Sequence, residues 1–455
     1  MASKQKHKTL AFVKKISSCN GAYRGIIQIP AHLGIVLALN SIGIIGSKSI
    51  TDTLFWVWAF PRFFSVPLEI FGGFLSQTIS SRGSFICLPF GIAIRAISLL
   101  LMMMACTSTI SNLILILGAT SVCLGEIGRS LFTCQYQDII NQIVKDTKLD
   151  HLFLISKCET VEKNSLHIFR IIFAAIGTAS VVLFHIFRQE DYSWIFFSPY
   201  IVSIGIHFVA FFESIRWASI KRSINIKQKH SNLESVIFQA KHFIKSKNVC
   251  WSLGAGGFIF LYIYLVNFAV ITSGIFTDHD NSGSLNVYHA LYASTLAILP
   301  PMAAWSSNFI ILKKSSIKFQ SLGQGYLGII LLSLWFILLL ISEVFGINSS
   351  YRIIWVFSFA FLFGPLQTWI GWQRIPILSK AESEKTNREL FYSSHVFYYA
   401  LISSTMELAI GIFGLIIKFT PLTQLNFSLL FIGLCSIFLT LVWKLNFKKS
   451  SILEK

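Results

Sequence analysis

The sequence predicts an all-α polytopic membrane protein whose helices form two six-helix bundles. Three observations carry this: the composition, the recurrence of long apolar runs, and the placement of basic residues. Of 455 residues, 54% are apolar, only 13% are charged and 42 are Phe. That balance suits hydrocarbon rather than water. Runs of about 20 apolar residues, enough to cross roughly 30 Å of hydrocarbon, recur along the chain. They lack the alternation of barrel strands, so helices must satisfy the backbone.

Twelve spans are expected, at 25–46, 53–75, 84–106, 111–134, 165–187, 194–213, 249–273, 286–311, 320–342, 352–372, 390–418 and 426–444. With the amino terminus inside, about thirty of the 38 Lys and Arg lie on the same side of these spans, the positive-inside pattern. The net charge of +18 therefore reports topology, not a nucleic-acid partner. Both termini are expected in the cytoplasm and the chain in the inner (plasma) membrane. The leading MASKQKHKTLAFVKK is basic like the start of a signal peptide, but no small-residue cleavage site follows. The first apolar run is expected to stay as an uncleaved helix.

The longest polar interval, Glu213 to Lys247, separates six spans from six. It defines an N-terminal bundle over 1–213, a basic cytoplasmic linker over 214–248 and a C-terminal bundle over 249–455. The halves read as related. GRSLFTCQYQDI (128–139) and GPLQTWIGWQRI (364–375) close the fourth helix of each set and share their first Gly, a Gln two before the end and a final Ile. Duplicated halves are common in transporter folds.

Eight cysteines are scattered without CxxC spacing, so neither a disulfide framework nor a zinc site is expected. TDHDNSG (277–283) places Asp278, His279 and Asp280 in an outer loop without fixing a coordination geometry, and it reads as solvated. No metal or cofactor is expected.

Between spans two and three lies GGFLSQTISSRGS, Gly72 to Ser84. It resembles the loop motif of the major facilitator superfamily, G-x-L-a-D-r-x-G-r-[rk], through Gly73, Leu75, Ser76 and Arg82. Gln77 stands where the family has an acid, and Ser80 where it has a second glycine. The resemblance implies two bundles rocking about a central site, with Gly73, Gln77 and Arg82 in a gating loop between spans. Gln77 would support such a lock by hydrogen bonding rather than by charge. The R-x-x-x-G and G-x-x-x-G-P-x-x-G-G elements of proton-coupled drug exporters are not visible.

Site candidates are the ionisable groups inside spans, since a charge at the bilayer centre costs at least about 2.5–3.5 kcal/mol unless paired or hydrated. Arg62 and Glu69 lie seven apart on one face of span two, Arg95 sits mid-way along span three, and Glu126 and Arg129 are an i, i+3 pair in span four. Glu407, deep in span eleven, is the expected proton carrier. Asn40, Tyr262, Tyr264, Asn267, Tyr288, His289 and Tyr292 are placed to line the same cavity. Lys157, Glu159, Glu162, Lys163, His167 and Arg170 read as a solvated face leading into span five.

A lipid flippase, for which Arg62, Arg95 and Arg129 could line a cationic cavity, and a polytopic membrane enzyme are the alternatives from other classes. There is no H-x-x-x-x-D or H-E-x-x-H for a membrane enzyme, and the D-x-D at Asp278 and Asp280 sits in a short loop. No repeated filter-like loop suggests a channel. A lipid flippase of another fold would lack the loop motif. The expected function is secondary active transport of a small organic solute, with proton-coupled efflux preferred over import of an anionic metabolite. The expected partners are a small-molecule substrate, protons and the lipid bilayer, for a chain acting as a monomer.

Overall fold

A computed structural model of the chain describes residues 2–27, 60–81, 84–147, 151–187 and 193–222, with Met302, Trp305 and Ser306. Asn40, Arg82, Glu407, TDHDNSG and, apart from those three residues, the spans of the C-terminal half lie outside the described residues. Every regular element among the described residues is an α-helix: α1 (Ala2–Ile27), α2 (Phe60–Ser81), α3 (Cys87–Thr107), α4 (Ser111–Thr147), α5 (His151–Phe187) and α6 (Ser193–Arg222). One compact unit holds α1 to α4, α5 as far as Leu166 and α6 from Phe197. Residues His167–Phe196 belong to a second unit.

Three of these helices are long and apolar enough to cross a bilayer, over Cys87–Thr107, Asn112–Tyr136 and Ser198–Trp217. They coincide with expected spans three, four and six. α3 shows what solvent it meets. Phe90, Ile97, Leu100 and Met104 stand exposed along one side, while Gly91, Arg95 and Ser98 are buried on the other. Large apolar side chains outside and polar ones inside suit a helix bathed in lipid. α4 has 37 residues, a length of about 55 Å at 1.5 Å per residue, so it continues well past the hydrocarbon layer.

α3 and α4 approach closely because small residues line the seam. A Cβ added at Gly91 would lie 2.8 Å from the carbonyl oxygen of Gly128 and from the amide nitrogen of Phe132. Further along, the Ser98 hydroxyl donates to the Ser121 carbonyl at 2.9 Å and the Ser121 hydroxyl donates to the Ser98 carbonyl at 2.7 Å. Packing and interhelical hydrogen bonds of this kind replace the hydrophobic drive that is missing between helices in lipid. Gln135 of α4 caps α3: its carbonyl oxygen accepts the Leu88 amide, and its amide donates to the Ser84 carbonyl at 2.9 Å. Two backbone groups left open by the chain entering α3 are thereby satisfied.

Two features differ from what the sequence suggested. The first is α1: ahead of the expected first span, most of which lies outside the described residues, it packs one face into the bundle from Phe12 onward, with Val13, Ile16, Ser17 and Ile26 fully covered. Phe12 stacks on Trp217 of α6 at 4.5 Å, and Ser17 and Tyr136 share a buried hydroxyl contact. Lys14, Lys15, Asn20 and Arg24 hide this segment from a hydropathy count. Lys15 is ion-paired to Glu213 and Arg24 to Glu162, so tertiary partners offset charges that would otherwise bar burial. The second concerns the stretch expected as a connecting loop, which is helical through Ser81. Gly73 and Gln77 thus stand on α2, and Ser76, fully buried, donates to the Leu131 carbonyl at 3.4 Å.

Candidate functional site

The described site candidates gather into two polar clusters. The first joins α2 to α4. Arg129 donates through Nη2 to Glu69 at 2.7 Å and lies 2.7 Å from Glu126 on its own helix. The Glu69 side chain is 1% exposed, while that of Arg129 is 40% exposed. Ser130 reinforces the seam by donating its hydroxyl to the Glu69 carbonyl at 2.7 Å. A Cβ at Gly72 would meet Ser130 at 3.4 Å. A carboxylate this deep is kept ionised only by a cation with good geometry, and Arg129 supplies one to two acids at once. Sequence spacing placed Glu69 on one face with Arg62; the structure also brings Arg129 to it from another helix. Arg62 lies on α2, and its side chain is outside the described residues.

The second cluster brings together α1, α3, α5 and α6. Arg95 is buried near the middle of α3. Its Nη1 donates to the Asn20 side-chain carbonyl at 3.0 Å, and its guanidinium stacks over the Tyr23 ring at 3.9 Å, with the Phe132 ring 5.1 Å away. A desolvated cation over an aromatic face gains about 2 kcal/mol. Asn20 passes the chain of contacts on, its amide donating to Glu162 at 2.9 Å, and Arg24 donates to the same Glu162 oxygen at 2.8 Å. His207 of α6 meets Tyr23 edge-on at 4.5 Å and donates through Nδ1 to the Ser203 carbonyl at 2.7 Å. A carbonyl can only accept, so that nitrogen carries the proton.

Of this second cluster, only Arg95 was a site candidate from sequence. Asn20, Tyr23 and Arg24 precede the expected first span, and His207 is a lone histidine in an apolar run. Glu162 was assigned to a solvated face, as were His167 and Arg170; the structure corrects all three. Glu162 anchors α1, and His167 and Arg170 are buried. The signal available was the helical recurrence of Phe12, Val13, Ile16, Tyr23 and Ile26, which continues the apolar face back through the charges.

No family profile and no curated protein matches the sequence. Solved structures match its fold. The nucleoside transporter NupG matches with a TM-score of 0.56 at 13% identity, over 97% of this chain and 99% of that one. A bacterial homologue of the human drug peptide transporters PepT1 and PepT2 gives 0.60 at 9% identity, over 99% of both chains. The fucose:proton symporter FucP of E. coli gives 0.54 at 10% identity, over 96% of this chain and 98% of that one. The three are named as a nucleoside transporter, a homologue of peptide transporters and a symporter. The likeness runs through nearly the whole of each chain, and the protein therefore shares the fold of these transporters.

Proposed function

We propose that this protein is a secondary active transporter that moves a small organic solute by alternating access, coupled to protons. The observation that carries the reading is the fold match to three transporters over at least 96% of the chain. The two clusters add what an apolar scaffold alone would not require: a buried acid held by Arg129 and a buried cation, Arg95, deep in a spanning helix. Charges retained at such cost mark solute or ion pathways. One fold neighbour is named as a proton symporter, which supports coupling to protons. Efflux is the direction adopted. Import of an anionic metabolite is the second reading, and the buried guanidinium of Arg95 favours it.

The test is accumulation by the purified full-length protein in sealed vesicles loaded on one side with a polar metabolite extract. An imposed pH gradient is expected to concentrate at least one solute, and collapsing the gradient should abolish this. The side on which the solute collects, relative to the acidic side, distinguishes efflux from import. Vesicles that concentrate nothing under either gradient, with protein inserted in both orientations, would overturn the reading.

A further inference from the structure

The cluster around Arg95 holds more positive than negative charge at mid-span. Arg95 touches an amide oxygen and two aromatic rings rather than an acid. Its Nε is buried and has no hydrogen-bond partner among the described residues. The cluster's carboxylate, Glu162, is already shared by Asn20 and Arg24. His207 keeps its Nδ1 proton on the Ser203 carbonyl and needs no charge to do so. Among the described residues, two guanidiniums thus stand against one carboxylate in this cluster.

Arg24 differs from Arg95 in exposure. It lies one helical turn beyond Asn20 on α1, and its side chain is 45% exposed. Asn20 contacts Arg95 near the middle of α3, so Arg24 stands within a turn of that depth. A guanidinium there is tolerated when it meets water, not hydrocarbon. A partly exposed cation is therefore backed by a second, buried cation with an N–H to spare, and Asn20 links the two.

We infer that this cluster binds an anionic group of the transported solute, a carboxylate or a phosphate, with Arg24 meeting it at the exposed edge and Arg95 behind. The inference rests on the transporter reading and names the substrate class for it. The planar fork of arginine suits two oxygens of such a group, and the scarcity of acid in the cluster leaves a charge for the solute to neutralise. Asn20 and Glu162 set the balance: a carboxylate at position 20 would satisfy Arg95 internally, and loss of the Glu162 carboxylate would leave both cations for the ligand.

The experiment measures thermal unfolding of the purified full-length protein with inorganic phosphate, succinate and glucose 6-phosphate as probes, against glucose and succinamide at equal ionic strength. At least one anion is expected to stabilise saturably, and the neutral compounds should not. Asn20→Asp should weaken that anion at least tenfold, whereas Glu162→Gln should tighten it several-fold. A merely structural cluster would lower the melting temperature of both variants without moving probe affinity in opposite directions. No anion-specific stabilisation, or equal affinity in the two variants, overturns the site. Stabilisation by phosphatidylglycerol in mixed micelles, with none by soluble anions, assigns the cluster to a lipid headgroup and overturns its role for solute. An anion that binds with this variant pattern but is never accumulated in vesicles keeps the site and removes the transporter reading. Gradient-driven accumulation of a neutral solute, equal in wild type and Asn20→Asp, does the reverse.

Discussion

Arg129 on α4 reaches across to Glu69 on α2 at 2.7 Å, while the Glu126 carboxylate lies at 2.7 Å on its other side. Arg129 thereby pairs with two carboxylates, one of them almost wholly buried. Removing the cation alone should be far worse than removing a charge from each side. Arg129→Ala is expected to cost up to about 3–5 kcal/mol, because the buried Glu69 carboxylate loses this cation. Pairing it with Glu69→Gln should recover at least half of that loss. Melting curves of the purified single and double variants check the order, and equal stability of the two would contradict it.

The seam between α3 and α4 makes a steric prediction. Gly91→Val and Gly128→Val place a Cβ within 2.8 Å of the facing backbone, and Gly21→Val overlaps the Glu162 carbonyl. Each should prevent accumulation of monodisperse protein in the membrane. Gly205 has open space around it among the described residues. Gly205→Ala is expected to be neutral or to stabilise by up to about 1 kcal/mol through lower unfolded-chain entropy. Size-exclusion profiles of detergent extracts would reveal the contrast, and a loss at Gly205 equal to that at Gly91 would refute it.

Coupling is tested at the carboxylates. Glu407→Gln keeps size and hydrogen bonding but cannot release a proton, so the variant should exchange substrate across vesicles yet fail to concentrate it under a pH gradient. Undiminished gradient-driven accumulation would remove Glu407 from the mechanism. Glu69→Gln and Glu126→Gln, tested in the same way, would then ask whether the Arg129 cluster carries the proton.

The gating resemblance yields its own outcome. Gly73→Leu places a branched side chain on α2, which is helical at this position. It should abolish transport while leaving the protein inserted and folded. Retained transport by a normally folded Gly73→Leu would make the stretch a structural helix end alone.

Topology is open to labelling. Charge placement predicts the linker inside and TDHDNSG outside. In a background without native cysteines, cysteine at Ser223 or Ser231 should resist an impermeant thiol reagent in intact cells, and cysteine at Ser282 should react. The opposite pattern would invert the orientation.

How much was legible depends on which physical signal each feature leaves in one dimension. α3, α4 and α6 were readable because each carries a bilayer's length of apolar residues, and the i, i+3 relation of Glu126 to Arg129 follows from helix geometry alone. α1 was obscured because Lys14, Lys15, Asn20 and Arg24 count against it in any window. The partners of Lys15, Asn20 and Arg24, Glu213 and Glu162, come from more than a hundred positions away. The helical extension of α2 through Ser81 was hidden by small polar residues that suit a turn in isolation and a close helix seam in context.

The sequence by itself determined the class of molecule and the candidate charges, since hydrophobicity, basic-residue placement and helical spacing are local properties that survive without a fold. Tertiary structure alone decided which charges meet. Glu69 is met by Arg129 from another helix, Glu162 turns from a supposed wet face to hold α1, and Arg95 finds Asn20 and Tyr23. The reason is energetic. In a medium that solvates no charge, each ionisable group must find its partner within the protein, and the nearest suitable partner is set by how the helices pack rather than by distance along the chain.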